Sequence, residues 1–216
     1  MVKSLDGATL GAIADRSRII VRNFVLFTVK DSAGAPALFG FTDYGEDVAL
    51  DIMDGVTGAT VNRSYAGDSA PLVALDPIPM KIGLEVDTTQ VMLNPLHPAV
   101  LAMHRGHDCR NAPVQIHRAY LSTISMLPVA LPRCRRLGFI NTAPEEIAGP
   151  DGQSHLRIGV VSVTRELTRT NPAKRSDETQ RLRSGDRFRR YSGTAYQWPI
   201  WWGEAKAKPA GSKSGG

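Results

Sequence analysis

The sequence predicts a mainly β protein built as an antiparallel barrel or sandwich, with a short N-terminal helix and a charged C-terminal segment. Three observations carry this. Several stretches alternate apolar and polar residues with period two, and clusters of Gly, Pro, Asn and Asp separate at least six of them. Little helical spacing lies between. Twenty Gly and fourteen Pro in 216 residues, with only 6% aromatics, fit many turns between short elements. The length allows one large domain or two small ones, and a hydrophobic share of 42% is that of a folded chain.

Taken in order, Leu5 to Arg16 places Leu10, Ile13 and Ala14 at helical spacing, with Thr9 as its expected cap. From Ile19 to Lys30, Val21, Val25, Phe27 and Val29 share one face, while Arg22, Thr28 and Lys30 share the other. This predicts a strand with one buried side. Asp31 to Gly34 reads as a turn, and Leu38 to Thr42 and Asp47 to Met53 as two further strands. Met80, Ile82, Leu84 and Val86 alternate with Lys81, Gly83 and Glu85, the cleanest period-two stretch in the chain. Pro95 to Met103 reads as a short helix with Pro98 in its first turn. Val114 to Thr123, Leu137 to Asn141 and Leu156 to Leu167 complete the expected strands, giving a β-rich region over 1–170 as one or two small barrels.

After Thr170 the chain changes in kind. Lys174 to Arg190 is dense in charge, Tyr191 to Trp202 collects Tyr196, Trp198, Trp201 and Trp202, and 204–216 has the composition of a disordered tail. The net charge of +5 is uneven. Residues 1–132 carry 10 basic and 13 acidic side chains, whereas 133–190 carry 13 and 7. The N-terminus lacks the apolar stretch of a secretory signal, and no apolar run approaches the ~20 residues of a membrane span. With two cysteines there is no disulfide framework, and both read as reduced thiols of a protein folded in cytosol.

His104, His107 and Cys109 are weak candidates for a metal site, because zinc needs three or four converging N or S ligands and only one thiol is local. His117 is expected on the solvent-facing side of its strand, beside Gln115. Cys109 and Cys134 fall short of the four ligands of an iron–sulfur cluster within one chain. Asp151, Ser154 and His155 supply the residue types of a catalytic triad, but adjacent residues on an extended chain point apart and no nucleophile elbow is present. There is no phosphate-binding glycine loop either, so neither an enzymatic role nor a cofactor is expected. Arg133, Arg135 and Arg136, then Lys174 and Arg175, then Arg181, Arg183, Arg187, Arg189 and Arg190 form a basic set with two readings. With Tyr191 or Trp198 stacking on bases they fit a nucleic acid. Interspersed with Asp177, Glu178 and Asp186 they fit a salt-bridged protein interface.

Several stretches together resemble one family. Phe39-Gly-Phe-Thr-Asp43-Tyr44 resembles a "GFTDHD"-like element of the phage-tail proteins related to the tail-tip hub of gene transfer agents and long-tailed phages. Met80 to Asn94 with its Leu84-Glu-Val-Asp87 core, Gly106 to Tyr120, and Leu137 to Ile140 followed by Leu156 to Leu167 are similar to later elements in the same order. Ser176-Asp-Glu-Thr-Gln180-Arg181-Leu-Arg183, then Asp186-Arg-Phe188, Tyr191 and Trp201-Trp202-Gly203, resemble the closing pattern of those proteins.

The resemblance implies a structural subunit of a siphovirus-like tail tip, a baseplate hub at the tip of the virion tail, assembled in the host cytoplasm. Its expected partners are other copies of itself in a ring, read as a trimer, the distal tail protein and the central tail fibre or tip protein, with the tape-measure protein as a further candidate. Membrane contact is not expected, and DNA contact only as a passive lining. The expected assembly interface is Arg181, Arg183, Arg187, Arg189, Arg190, Trp198, Trp201 and Trp202 within 171–203. The tryptophans are equally read as closing the chain's own core. A hexameric distal tail or adaptor protein is the alternative in the same assembly, and a nucleic-acid-binding β-barrel the alternative of another class.

Overall fold

Asp6 starts the first helix and fastens it to the sheet. The computed structural model describes residues 6–15, 18–78, 85–147, 154–168, 170 and 174–195. In it α1 spans Gly7–Ala14, and its cap is Asp6, whose Oδ2 accepts from Ala8 N at 3.1 Å. Thr9, the expected cap, is buried inside the helix instead. Asp6 also holds Arg133 through its other oxygen at 3.2 Å.

Among the described residues the strands are β1 (Ile19–Lys30), β2 (Pro36–Thr42), β3 (Val48–Met53), β4 (Thr60–Tyr65), β5 (Leu72–Leu75), β6 (Thr88–Leu93), β7 (Pro113–Ser122), β8 (Arg133–Thr142), β9 (Glu145–Glu146) and β10 (His155–Ser162). Helix α2 (Pro98–Gly106) lies between β6 and β7, and α3 (Arg165–Thr168) follows β10. The protein is mainly β, as expected, and its antiparallel sheet curls into a half-barrel in the order β2-β1-β7-β8-β10-β6-β5. The chain divides into two compact units, Met1–Thr168 and Arg169–Gly216. Most of the Met80–Val86 stretch lies outside the described residues, and Glu85 and Val86 run as irregular chain.

The curled sheet has a core on each face. One joins Val25, Phe27 and Val29 of β1 to Phe41, Val91, Ile116, Ile158 and Val160, with Val100 and Met103 of α2 packed into it. Helix α2 is capped by His97, which accepts from Ala99 N at 3.2 Å, with Pro98 where a missing N–H costs nothing. The second core lies on the opposite face, where Phe24, Leu26, Ala119 and Leu121 meet Ile52 and Tyr65. The expected one-sided strand is therefore corrected. Phe24, Val25, Leu26 and Phe27 are all buried, because the β3–β4 hairpin covers the face that alternation assigns to water.

Among the described residues, main-chain pairing joins the hairpin to the rest of the sheet at two points. Met53 of β3 makes a single parallel pairing with Arg133 of β8, and its N–H donates to Pro132 O at 3.0 Å. Beyond β4, Ala66 exchanges main-chain bonds with Gly40 and Thr42 at 2.9 Å each. The backbones come so close there that a Cβ on Gly40 would lie 2.3 Å from Ser64 O. Thr42 and Asp43 complete the junction. Thr42 Oγ1 donates to Asn23 O at 2.9 Å, and the Asp43 carboxylate accepts from Asn23 N at 2.7 Å and Asn23 Nδ2 at 2.8 Å. Thr42 and Asp43 of the Phe39–Tyr44 motif are thus both occupied in fastening this end of β2 to β1.

Candidate functional site

An open cleft of about 820 Å³ runs beside the C-terminal end of α2. His104, His107, Cys109 and Arg165 line it, so the sequence-derived metal candidates share one depression. They do not converge as ligands. His107 Nδ1 is bonded to Ala102 O at 2.9 Å, and its ring stands edge-on to Phe39 with centroids 4.9 Å apart. Cys109 donates its thiol to Met103 O at 3.4 Å, and burial, then the neighbouring Asp108 charge, pushes its pKa up. It is held as a protonated thiol, a poor ligand and nucleophile. Among the described residues no three His, Cys, Asp or Glu side chains are placed to hold a metal ion. Of the basic groups at the cleft, Arg105 pairs with Glu145 at 3.2 Å and Arg165 bonds to Asn141. Asp151 of the Asp151–Ser154–His155 grouping lies outside the described residues.

The second unit carries the arginine candidates. Ser176 caps α4 (Asp177–Arg181) by accepting from Thr179 N at 3.3 Å. Arg181 pairs with Glu178 at 3.3 Å, and Arg187 pairs with Asp177 at 2.7 Å, which raises the Arg187 pKa further. Gln180 Nε2 donates to Asp186 Oδ2 at 2.7 Å while Asp186 Oδ1 accepts from Phe188 N at 2.9 Å. These bonds, the Gln180 side chain first and then the Phe188 amide, lower the Asp186 pKa. Arg189 donates to Arg175 O at 3.4 Å, and the Arg190 guanidinium lies 5.4 Å from the centroid of the Tyr191 ring. Helix α5 (Ser192–Ala195) follows.

The consequence of this stapling is what it leaves outside. Leu182 is 87% exposed, Phe188 89% and Tyr191 65%, on a segment that also exposes Arg183 and Arg190. Polar positions in the segment bond to one another, and the apolar side chains face water. Trp198, Trp201 and Trp202 lie outside the described residues. Of the expected interface, the five arginines are thus brought together on one short segment.

Two polar groupings escaped the sequence reading. Arg136, taken from sequence as one of a basic cluster, is buried and grips Asp87 with two bonds of 2.8 and 2.9 Å. The other lies under the β3–β4 turn. His117, expected on a wet face, is completely buried, and its Nε2 is 3.0 Å from Met53 O. Gln115 joins the same turn, accepting from Gly55 N at 2.9 Å and donating to Asp54 Oδ2 at 3.1 Å. Asp54 also accepts from Val56 N, Thr57 N and the Thr57 hydroxyl. These bonds, led by the Thr57 amide, bring its pKa down to about 2. The signal in sequence was the run Asp54-Gly-Val-Thr-Gly58, a turn whose Asp accepts amides two and three residues on.

No family model matches the chain, and no curated protein matches it. No helix among the described residues is long and apolar enough to cross a membrane.

Proposed function

We propose that this protein is a structural subunit of a phage tail tip, a hub that joins the tail tube and distal tail ring to the central fibre. The observation that carries the reading is the surface of residues 176–191. Its acids are consumed by internal pairs and bonds, and Leu182, Phe188 and Tyr191 project into water. Exposed aromatics framed by arginine are characteristic of the buried centre of protein interfaces. The same segment carries the closing pattern of the tail-tip hub resemblance. The other family-like stretches support the reading from within the fold. Phe39–Tyr44 locks three strands together, and half-buried Asp87 pairs with buried Arg136.

Electron microscopy of negatively stained particles labelled with an antibody to this chain tests the proposal directly. Label confined to the tail tip is the expected result, and label on the capsid or along the tube overturns it. Deleting 176–203 abolishes assembly on this reading, whereas deleting 204–216 leaves it intact. A monomer that binds DNA in a salt-sensitive manner and never enters a particle would favour the nucleic-acid reading instead.

A further inference from the structure

We propose that the β3–β4 hairpin is an acid-released strap, held shut by His117 and uncovering the apolar outer face of β1 and β7 when that histidine takes up a proton. This goes beyond the assembly reading and does not depend on it.

Apart from two side-chain bonds from Gln115 at its tip, the hairpin has few anchors for an element that covers a core. Its main chain joins the rest of the sheet through Met53 at one end and Ala66 at the other. Between those points it lies across Phe24, Leu26, Ala119 and Leu121 through Ile52 and Tyr65. At the tip, the Met53 carbonyl can only accept, so His117 Nε2 carries the proton of that bond. The other ring nitrogen, Nδ1, is buried and has no partner among the described residues. Neutral imidazole tolerates this, because Nδ1 is then an acceptor lone pair. Protonated imidazole does not, because it presents an unpaired N–H and a positive charge to an apolar site.

The neighbours supply no hydrogen-bond partner for Nδ1 among the described residues. Across from His117 stand Phe24 on β1 and Cys134 on β8, and Tyr65 of β4 packs edge-on to Phe24 with centroids 5.0 Å apart. The Tyr65 hydroxyl is itself buried without a partner, and burial raises its pKa, so it stays neutral. Arg63 brings positive charge to Tyr65. Asp54 is the acid nearby, but its oxygens already serve Val56, Thr57 and Gln115. Burial, partly offset by the Met53 bond and by Asp54, lowers the His117 pKa below 6.5. A lowered value in the closed form means that closure is fully favoured above about 6.5 and weakens as pH falls below it.

Hydrogen exchange on the full chain between pH 7.5 and 5, corrected for intrinsic exchange rates, tests the strap. Protection of Ile52, Gly55 and Val61 should fall by up to tenfold per pH unit below about 6.5, while Val25 and Ile116 hold theirs. The proposal fails if the hairpin keeps its protection, or if β1 and β7 lose theirs in parallel. In His117→Gln, which retains a donor for Met53 O but cannot titrate, the slope should vanish; an unchanged slope also overturns it. Should that variant not fold, Cys109→Ser leaves Cys134 as the single thiol. Cys134 lies under the tip, where a Cβ on Gly55 would come within 2.6 Å of its sulfur. Its labelling rate by 4,4′-dithiodipyridine, divided by the thiolate fraction at each pH, should rise in step with hairpin exchange as pH falls, and a corrected rate that stays flat or falls refutes the strap.

Discussion

Arg136 and Asp87 form a two-pronged ion pair, Nη1 to Oδ2 at 2.8 Å and Nη2 to Oδ1 at 2.9 Å, and Nη2 also donates to Asp87 O at 2.8 Å. The arginine side chain is 7% exposed and the aspartate 18%. A pair so far out of water stabilises little relative to apolar residues of the same shape, but breaking it strands a charge. Arg136→Ala should therefore cost about 3–5 kcal/mol, read from the urea midpoint. The double variant Arg136→Met with Asp87→Leu should recover most of that loss. If the double variant is as unstable as the single one, the stranded charge is not the cause.

The crossing of β4 over β2 makes an opposite pair of predictions for two glycines. Gly40→Ala would place a methyl 2.3 Å from Ser64 O and 2.7 Å from the Tyr65 ring, so a main-chain oxygen must move. A loss of at least ~1–3 kcal/mol is expected. Gly11 sits in mid α1 with nothing within 4 Å of an added Cβ, and Gly11→Ala should gain about 0.5–1 kcal/mol of helix stability. Thermal melts of both variants check the signs.

Asp54 gives a separate acid transition. Its pKa in the folded chain is about 2 against an ordinary 3.8, chiefly because of the Thr57 amide bond. A lowered carboxylate pKa means stability that is complete above about pH 4 and is lost as pH falls through about 2. In Asp54→Asn that share of the acid loss should disappear, with a less stable turn at pH 7. Urea midpoints at pH 2, 3, 4 and 7 separate this window from the higher one of His117. A wild-type slope retained between pH 4 and 2 would rule Asp54 out.

What the sequence made legible follows from what each residue contacts locally. Period two placed β1, β2, β3 and β7, and Pro98 marked the start of α2, because these signals act within a few residues. Alternation also implied a wet face for Gln115 and His117. That inference failed because the cover comes from β3 and β4, over fifty residues earlier in the chain, and alternation carries no information on what crosses a face. For the same reason Arg136 read as one more surface charge when its partner lies on a loop forty-nine residues away. The short strands β4, β5 and β6 were missed, since Asn62, Arg63 and Ser64 or the four residues of β5 take their strand character from the neighbours they pair with. The arginine segment was legible as a charged surface, but its internal pairing and the outward Phe188 were not.

Phe188 separates an assembly surface from a merely solvated one. Its ring is 89% exposed, while its N–H is fixed by Asp186 and Asp186 by Gln180, so the side chain is presented from a braced turn. Removing an exposed ring from a braced turn changes little in the free chain, and Phe188→Ala should leave the melting temperature within the error of the wild type. If the ring anchors a partner, truncation costs about 2 kcal/mol or more of binding, which weakens association roughly thirty-fold. Gln180→Ala should produce a smaller loss of the same kind by loosening the turn without removing the ring. Light scattering across a concentration series, and incorporation into particles by complementation, read both effects. Wild-type association by Phe188→Ala would move the interface away from this segment.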